Sequence, residues 1–384
     1  MKLKVFLLFF FYLFLILPLI CLANTPGVTE KQIIIGTSAA LSGHAGFLGK
    51  SIVCGLRTYF NYVNDKGGIY GRKIHHLAYD DDYNPPLMIS NVRRLINKDR
   101  VFALIGLVGT PTTLTILKII EKNRIPLLFP FTGAEELRYP FKKYVFNLRA
   151  SYWDECATAV DYLIKHGKRR IAVFYQNDAY GLNGRTGVDR RLIKYDMRLL
   201  AESTYIRGST DVLKQVITLK QFKPDAIVMI GTYDACAAFI KEAIRQDMQS
   251  VWFFNVSFVG TYQLAKLIKD IDATVFVTQV VPSPDDNFLP AVREYRRLLK
   301  LYFPKVKPSF IGLEGFLDAK LLVEALKRTG HNLTQEALIK SIESIHDLDL
   351  GISEKVNFAP MNHQGLHKVY ITQIKNGKVF TITH

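Results

Sequence analysis

Cysteine is scarce in this 384-residue chain, with four in all. Cys21 lies in an N-terminal apolar run, and Cys54, Cys156 and Cys236 fall on helical patterns. No Cys-x-x-Cys and no cysteine/histidine zinc spacing occurs, which argues against a disulfide framework or a zinc site. Three buried, small, hydrophobic thiols are the expectation. Long apolar runs are absent after Leu22, so no later segment is expected to cross a membrane. Catalytic signatures are missing too: there is no Gly-x-Ser-x-Gly and no His-Glu-x-x-His. Tyr180-Gly181-Leu182-Asn183-Gly184 lacks the spacing and following lysine of a phosphate loop. With no nucleophile–base pair in view, the chain is not expected to be an enzyme.

Charge is plentiful but scattered. The chain has 50 basic and 34 acidic side chains, a net +16, and no aromatic-interleaved basic stripe, so no nucleic-acid partner is expected. The densest run, Lys168-Arg169-Arg170, reads as a solvated strand edge. His75 and His76 are neighbours in a strand pattern and so point to opposite faces, unable to share a metal. Asp80-Asp81-Asp82 reads as a solvated turn that caps the helix after Pro85. No metal and no cofactor are expected.

The N-terminus carries an address. Lys2 and Lys4 precede an apolar run from Val5 to Leu22, and Cys21-Leu22-Ala23 offers small residues at −3 and −1. This pattern predicts a secretory signal peptide over residues 1–23, with an uncleaved anchor or a lipid-modified Cys21 as alternatives. The remaining chain, about 360 residues, suits two domains of ordinary size.

Strand and helix patterns then alternate with short connections, which predicts parallel sheets covered by helices on both faces. Strands are expected over Gln32–Ser38, Lys73–Tyr79, Tyr144–Leu148, Arg170–Phe174, Arg198–Tyr205, Asp225–Ile230, Val251–Asn255 and Ala273–Gln279. The alternation restarts at Ala150, and the proline-rich Val281–Asp286 segment breaks it again. The chain closes in a hairpin around Asn376-Gly377.

One arrangement occurs twice in succession. The apolar run Ala103–Val108 ends in Gly109-Thr110-Pro111-Thr112-Thr113, and Ile125–Pro130 ends in Phe131-Thr132-Gly133-Ala134. Each reads as a buried strand ending in glycine and hydroxyls at a helix N-terminus, with Thr110 as N-cap and Pro111 at the first helical position. Two free helix N-termini side by side suit an anionic group such as a carboxylate.

Several short pieces, taken in order, carry a resemblance. They are Ile34-Ile35-Gly36 with Leu41-Ser42-Gly43, Asn64–Ile69 with Gly71, Tyr79-Asp80-Asp81, Asp178–Gly181 and Gly231-Thr232-Tyr233. Together they resemble the leucine/isoleucine/valine-binding proteins, the type I periplasmic solute receptors of ABC importers. The resemblance implies an α/β fold of two doubly wound Rossmann-like lobes joined by a three-segment hinge. Crossovers then fit near Leu148–Ala150, Gln279–Ser283 and Lys355–Phe358. One lobe comprises residues 25–149 and 281–354, the other 150–280 and 355–384.

The resemblance also implies a site. Gly109, Thr110, Phe131, Thr132 and Gly133 match the residues that hold a ligand carboxylate, and Tyr180 and Tyr233 match tyrosines that close over it. The aromatic of the first helix matches Leu48, with Phe47 beside it as a substitute. Ser257 stands where branched-chain amino acid binders place a glutamate against the α-ammonium. Either Asp234, Asp178, Asp154 or Glu155 supplies that charge, or the ligand is not a standard α-amino acid. The family disulfide is missing, with Tyr83 and Gly109 at its positions.

The implied function is that of an exported, periplasmic, monomeric receptor. It binds a small amino-acid-like or amide-like carboxylate by hinge closure and presents it to a membrane permease. The alternative is a sensing domain that hands its ligand signal to a regulator or chemoreceptor.

Overall fold

The computed structural model describes residues 25–382; the expected signal peptide and Cys21 lie outside the described residues. Two sheets organise the fold. The first is parallel throughout, in the order β2-β1-β3-β4-β5. Its strands are β1 (Gln32–Ala39), β2 (Lys73–Asp80), β3 (Ala103–Ile105), β4 (Leu127–Leu128) and β5 (Val145–Phe146). The helices between them are α1 (Gly46–Asp65), α2 (Pro85–Asn97), α3 (Thr110–Leu114) and α4 (Leu117–Asn123). The apolar runs at Ala103–Val108 and Ile125–Pro130 form shorter strands than expected, and an isolated bridge, Val108 to Phe131, keeps their ends adjacent.

The chain then builds a second sheet. Here α5 (Tyr152–Lys165), β6 (Ile171–Gln176), α6 (Ala179–Ile193), β7 (Glu202–Tyr205), α7 (Leu213–Gln221) and β8 (Ala226–Ile230) are followed by α8 (Tyr233–Arg245), β9 (Trp252–Asn255), α9 (Thr261–Leu267) and β10 (Thr274–Gln279). Every residue of β6 and β8 is buried, as central parallel strands covered on both faces require. Three helices return to the first sheet: α10 (Pro290–Tyr302), α11 (Phe310–Thr329) and α12 (Gln335–Glu343). The closing hairpin, β11 (Tyr370–Lys375) and β12 (Lys378–Ile382), adds antiparallel strands beside β10. Asn376 and Gly377 both take positive φ, 49° and 70°, as a two-residue hairpin turn demands.

Close packing of α1 on α11 fixes the first lobe. A Cβ on Gly55 would sit 2.1 Å from the Gly312 carbonyl oxygen, and one on Gly315 would sit 2.4 Å from that of Ile52. Only hydrogen fits at either crossing. Within one core cluster Leu56, Phe60, Leu313, Phe316 and Leu317 join strand residues Ile33, Ile35 and Ile105. The second lobe has its own core around β6, β8 and β9.

The two lobes and three chain passages of the type I periplasmic receptor fold are thus present. The third passage runs at 363–366 beside the first, with Asn147 bridged to Gln364 and the Leu366 N–H bonded to the Leu148 carbonyl (2.9 Å). That is later in the chain than Lys355–Phe358; Val356 and Phe358 instead pack in the first-lobe core. Cys54, Cys156 and Cys236 are free thiols on α1, α5 and α8.

Candidate functional site in the interlobe cleft

The twin turns lie side by side, but the helix termini differ from expectation. Gly109, with φ at 94°, is the N-cap; Thr110 is the first residue inside α3, which spans five residues. The second turn enters only one 3-10 turn, Glu135–Leu137. So the pair of free α-helix N-termini expected from the sequence is not there. What links the turns is a hydroxyl pair, Thr110 Oγ1 to Thr132 Oγ1 at 2.6 Å, with both residues fully buried. The Gly109 N–H donates to the Phe131 carbonyl at 3.2 Å, and the Phe131 N–H to that of Leu107 at 2.8 Å.

Rings take over where a disulfide was absent. A Cβ on Gly109 would lie 2.0 Å from Tyr83 Cε2, so the tyrosine packs flush on the glycine backbone. Gly133 is pressed likewise against Tyr152, whose N–H donates to the Gly133 carbonyl (2.8 Å).

From the second lobe, Tyr180 opens α6 behind an Asp178 cap and donates its hydroxyl to the Gly231 carbonyl at 3.3 Å. Tyr233 opens α8 and meets Phe47 of the first lobe edge-on at 6.4 Å; Phe47, rather than Leu48, provides that aromatic. Phe258 sits at the centre. Its ring lies 5.2 Å from Phe131, 6.0 Å from Tyr83 and 4.9 Å from Tyr180, and it is fully buried. Hydrogen bonds also cross between lobes, from Asn183 Nδ2 to Glu136 (2.6 Å) and from Arg207 Nη1 to the Tyr83 carbonyl (3.0 Å). Seven of the eight expected site residues thus border this contact zone, with Ser257 at its inner end. Hollows of 430 and 370 Å³ lie beside α8 and α4, and another of 390 Å³ opens between the lobes, lined by Glu135, Glu136 and Tyr139 on one side and Trp153, Leu182 and Asn183 on the other.

At Ser257 the electrostatics are unlike any simple replacement of glutamate. Glu155 on α5 reaches this position, and its carboxylate accepts four hydrogen bonds. Oε1 takes Arg149 Nη2 (3.0 Å) and Ser257 Oγ (2.9 Å); Oε2 takes the Ser257 N–H (2.7 Å) and Thr278 Oγ1 (2.5 Å). Arg149 also donates to Ser257 Oγ. Its Nη1 faces Glu314 of α11 at 3.3 Å, and its guanidinium lies over the rings of Phe131 and Tyr152. Burial pulls the guanidinium down, yet Glu314 and Glu155 together raise it above its ordinary value, so it stays charged. Burial pushes Glu314 up to about 7 against the pull of Arg149, and burial also raises Asp318, one turn along α11, well above its ordinary value.

The other acids weighed for the ammonium are engaged elsewhere. Asp178 caps α6 and faces Arg207, Asp154 completes the α5 capping box, and Asp234 borders the outer hollow beside α8. Asp81, expected in a solvated turn, is fully buried and bonds Ser38 Oγ and the Tyr83 N–H, and it does not cap α2. Among the described residues, no group of three or more His, Cys, Asp or Glu is placed to hold a metal ion.

Residues 32–378 match the model of the periplasmic binding protein family. The chain belongs to that family. Among its relatives, Leu/Ile/Val-binding protein homolog 7 of Brucella suis is 21% identical over 376 residues, 92% of each chain. The Leu/Ile/Val-binding protein of Escherichia coli is 24% identical over 261 residues, 68% of this chain and 71% of that one. A possible leucine/isoleucine/valine-binding protein from Rhodopirellula baltica superimposes with a TM-score of 0.88 at 31% identity, covering 94% of this chain and 98% of its own.

In this periplasmic binding protein, sequence reasoning missed Arg149 and Phe258. Arg149 stands alone between Leu148 and Ala150 at a crossover; that a charged residue interrupts an apolar passage was the only signal. Ser257 is now testable as a link. Ser257→Ala keeps the backbone donor to Glu155 but removes the hydroxyl between Arg149 and Glu155. A loss of about 1–3 kcal/mol is expected, measured as a lower urea midpoint at unchanged m-value.

Proposed function

We propose that this protein is the exported solute receptor of an ABC importer, without catalytic activity. It acts as a monomer in the periplasm after removal of residues 1–23, and its closed form is what a membrane permease reads. The ligand is a small carboxylate held between lobes divided at 149/150 and 280/281 and, past Phe358, at the third passage over 363–366. Gly109, Thr110, Phe131, Thr132 and Gly133 hold its carboxylate end, while Tyr180, Tyr233 and Ser257 close from the other side.

The observation that carries this reading is convergence. Buried hydroxyls and rings of the first lobe meet Tyr180, Tyr233 and Phe258 of the second at one place, beside the hinge. A receptor of this kind needs ligand contacts from both lobes, because only a ligand that distinguishes closed from open can drive closure. No described helix is long and apolar enough to cross a membrane.

The test is a thermal-shift screen of unfolded and refolded protein against amino acids, amides and small carboxylates. Refolding strips carried-over ligand, and a binder raises the midpoint with the logarithm of its concentration above Kd. A hit should also shrink the radius of gyration in solution scattering. Thr110→Val breaks the hydroxyl pair with little change of volume and should weaken the hit about tenfold. A hit that leaves the scattering unchanged and binds Thr110→Val equally well places its site outside the cleft.

A further inference from the structure

We infer that the cleft is built for an apolar carboxylate that carries no ammonium group, with Arg149 as its charge partner. This rests on the cleft being the ligand site. The balance of hydrogen-bond donors and acceptors around it decides the ligand class.

An α-ammonium is a donor of three hydrogen bonds and needs a free carboxylate. Glu155 is the acid that reaches the Ser257 position, and a carboxylate has about four lone-pair sites. All four are taken by Arg149, Ser257 (twice) and Thr278. The guanidinium that bonds it stands 3.0 Å away. An arriving ammonium would find a cation beside it and no spare acceptor, and a desolvated charge in that position is expensive.

Donors, by contrast, are in surplus. Arg149 is 2% exposed; its Nε completes no hydrogen bond, and its Nη1 stands 3.3 Å from Glu314 Oε1 without completing one. The buried hydroxyls of Tyr152 and Tyr83 are also without a completed bond, although Thr132 and Gln176 stand near them. These groups surround one zone: Arg149 lies over Phe131 and Tyr152, Tyr152 is 5.2 Å from Tyr180, and Tyr83 is 6.0 Å from Phe258. Buried polar groups in native proteins are nearly always paired, so unpaired donors clustered in one cleft call for an acceptor-rich occupant. A carboxylate supplies it, and a guanidinium is the side chain best matched to a carboxylate's two oxygens. The rings of Tyr83, Phe131, Phe258 and Tyr180 then set the rest of the ligand as apolar.

Isothermal titration calorimetry on the refolded full chain tests this with matched probes: 3-phenylpropanoate, 3-phenylpropanamide and L-phenylalanine, then 4-methylpentanoate and L-leucine. In at least one series the carboxylate should bind ten times or more tighter than the amino acid of the same carbon skeleton. 3-Phenylpropanoate should likewise exceed its amide. The double substitution Arg149→Met with Glu155→Gln removes both charges of that buried pair together; Glu314, which also faces Arg149 and is held up to about 7 by burial, can take up a proton when the cation is gone. It should bring the acid-to-amide ratio below threefold, with the far-ultraviolet circular dichroism unchanged. An amino acid that binds tighter than its deaminated partner overturns the ligand class and leaves the cleft reading standing. A ratio that survives the double substitution overturns the role of Arg149. No binding by any of the five probes also overturns the ligand class, and the broader thermal-shift screen then decides the cleft reading separately.

Discussion

Arg149→Ala is expected to cost about 3–5 kcal/mol of stability, because it breaks a buried ion pair from one side. In a chain built of two lobes this lowers the thermal midpoint by roughly ten degrees. Glu155 would keep three of its four hydrogen bonds but lose its counter-ion at 3.0 Å, in a position with no access to water. Glu314 would lose the one cation within salt-bridge distance of it among the described residues. The loss should therefore be one of uncompensated charge rather than of volume, and the two can be separated. Arg149→Met with Glu155→Gln removes that pair as a unit and should recover most of the stability lost in Arg149→Ala, since a buried pair so replaced is often near neutral and Glu314, held up to about 7, can answer the lost cation by taking up a proton. Equal destabilisation by the single and double substitutions would mean that packing, not charge, is what Arg149 supplies. Arg185, half-exposed between Asp189 and Glu202, is the internal control. Its replacement by alanine should cost less than about 1 kcal/mol, as exposed pairs do.

That contrast shows where the sequence was informative. The two lobes were legible because runs such as Ile171–Gln176 and Ala226–Ile230 are apolar enough to be buried on both faces, and helix patterns separate them regularly. Edges were less so: Arg198–Tyr205 read as one strand, yet the strand is Glu202–Tyr205, at the rim of its sheet. The twin turns were located correctly, but their helices shrank to one five-residue helix and one 3-10 turn. Glycine, threonine and proline signal where a strand stops, while packing sets the length of the helix after it. Ser257 was a visible departure, and Glu155 was one of four acids that could answer it. The role of Arg149 had only a faint signal, a charge set between Leu148 and Ala150. Its partners Ser257 and Glu314 are more than a hundred residues away in sequence, brought together only because the chain passes the hinge region repeatedly. No local pattern encodes such a meeting.

Between pH 6.5 and 8 the folded protein should lose stability as pH rises, and Glu314 should account for a measurable part of that slope. Burial raises Glu314 from 4.5 to about 7 in the folded state, with Glu155 adding to the rise while Arg149 and Arg138 oppose it. Burial likewise raises Asp81 from 3.8 to about 7, and raises Asp318 well above its ordinary value. For an acid raised on folding, the unfolded chain gives up its proton first. Stability is then unaffected below the unfolded value, declines as pH climbs from there, and stops declining above the folded value. For Glu314 alone the full span corresponds to about 3 kcal/mol, at 1.36 kcal/mol per unit. Histidines act in the opposite sense. Burial lowers His76 from 6.5 to about 3, and lowers His44 and His363 as well, so these groups cost stability as pH falls below 6.5. Acids and histidines therefore oppose each other from about pH 4.5 to 6.5, and the acids act alone just above that range. Urea unfolding at half-unit steps from pH 6.5 to 8 measures the slope. Glu314→Gln keeps the shape of the side chain and removes its proton, so its curve should be flatter than the parent's by up to about 1 kcal/mol over this interval. Parallel curves would mean that Glu314 is ionised in the folded protein throughout, and that Arg149 is balanced by two carboxylates rather than one.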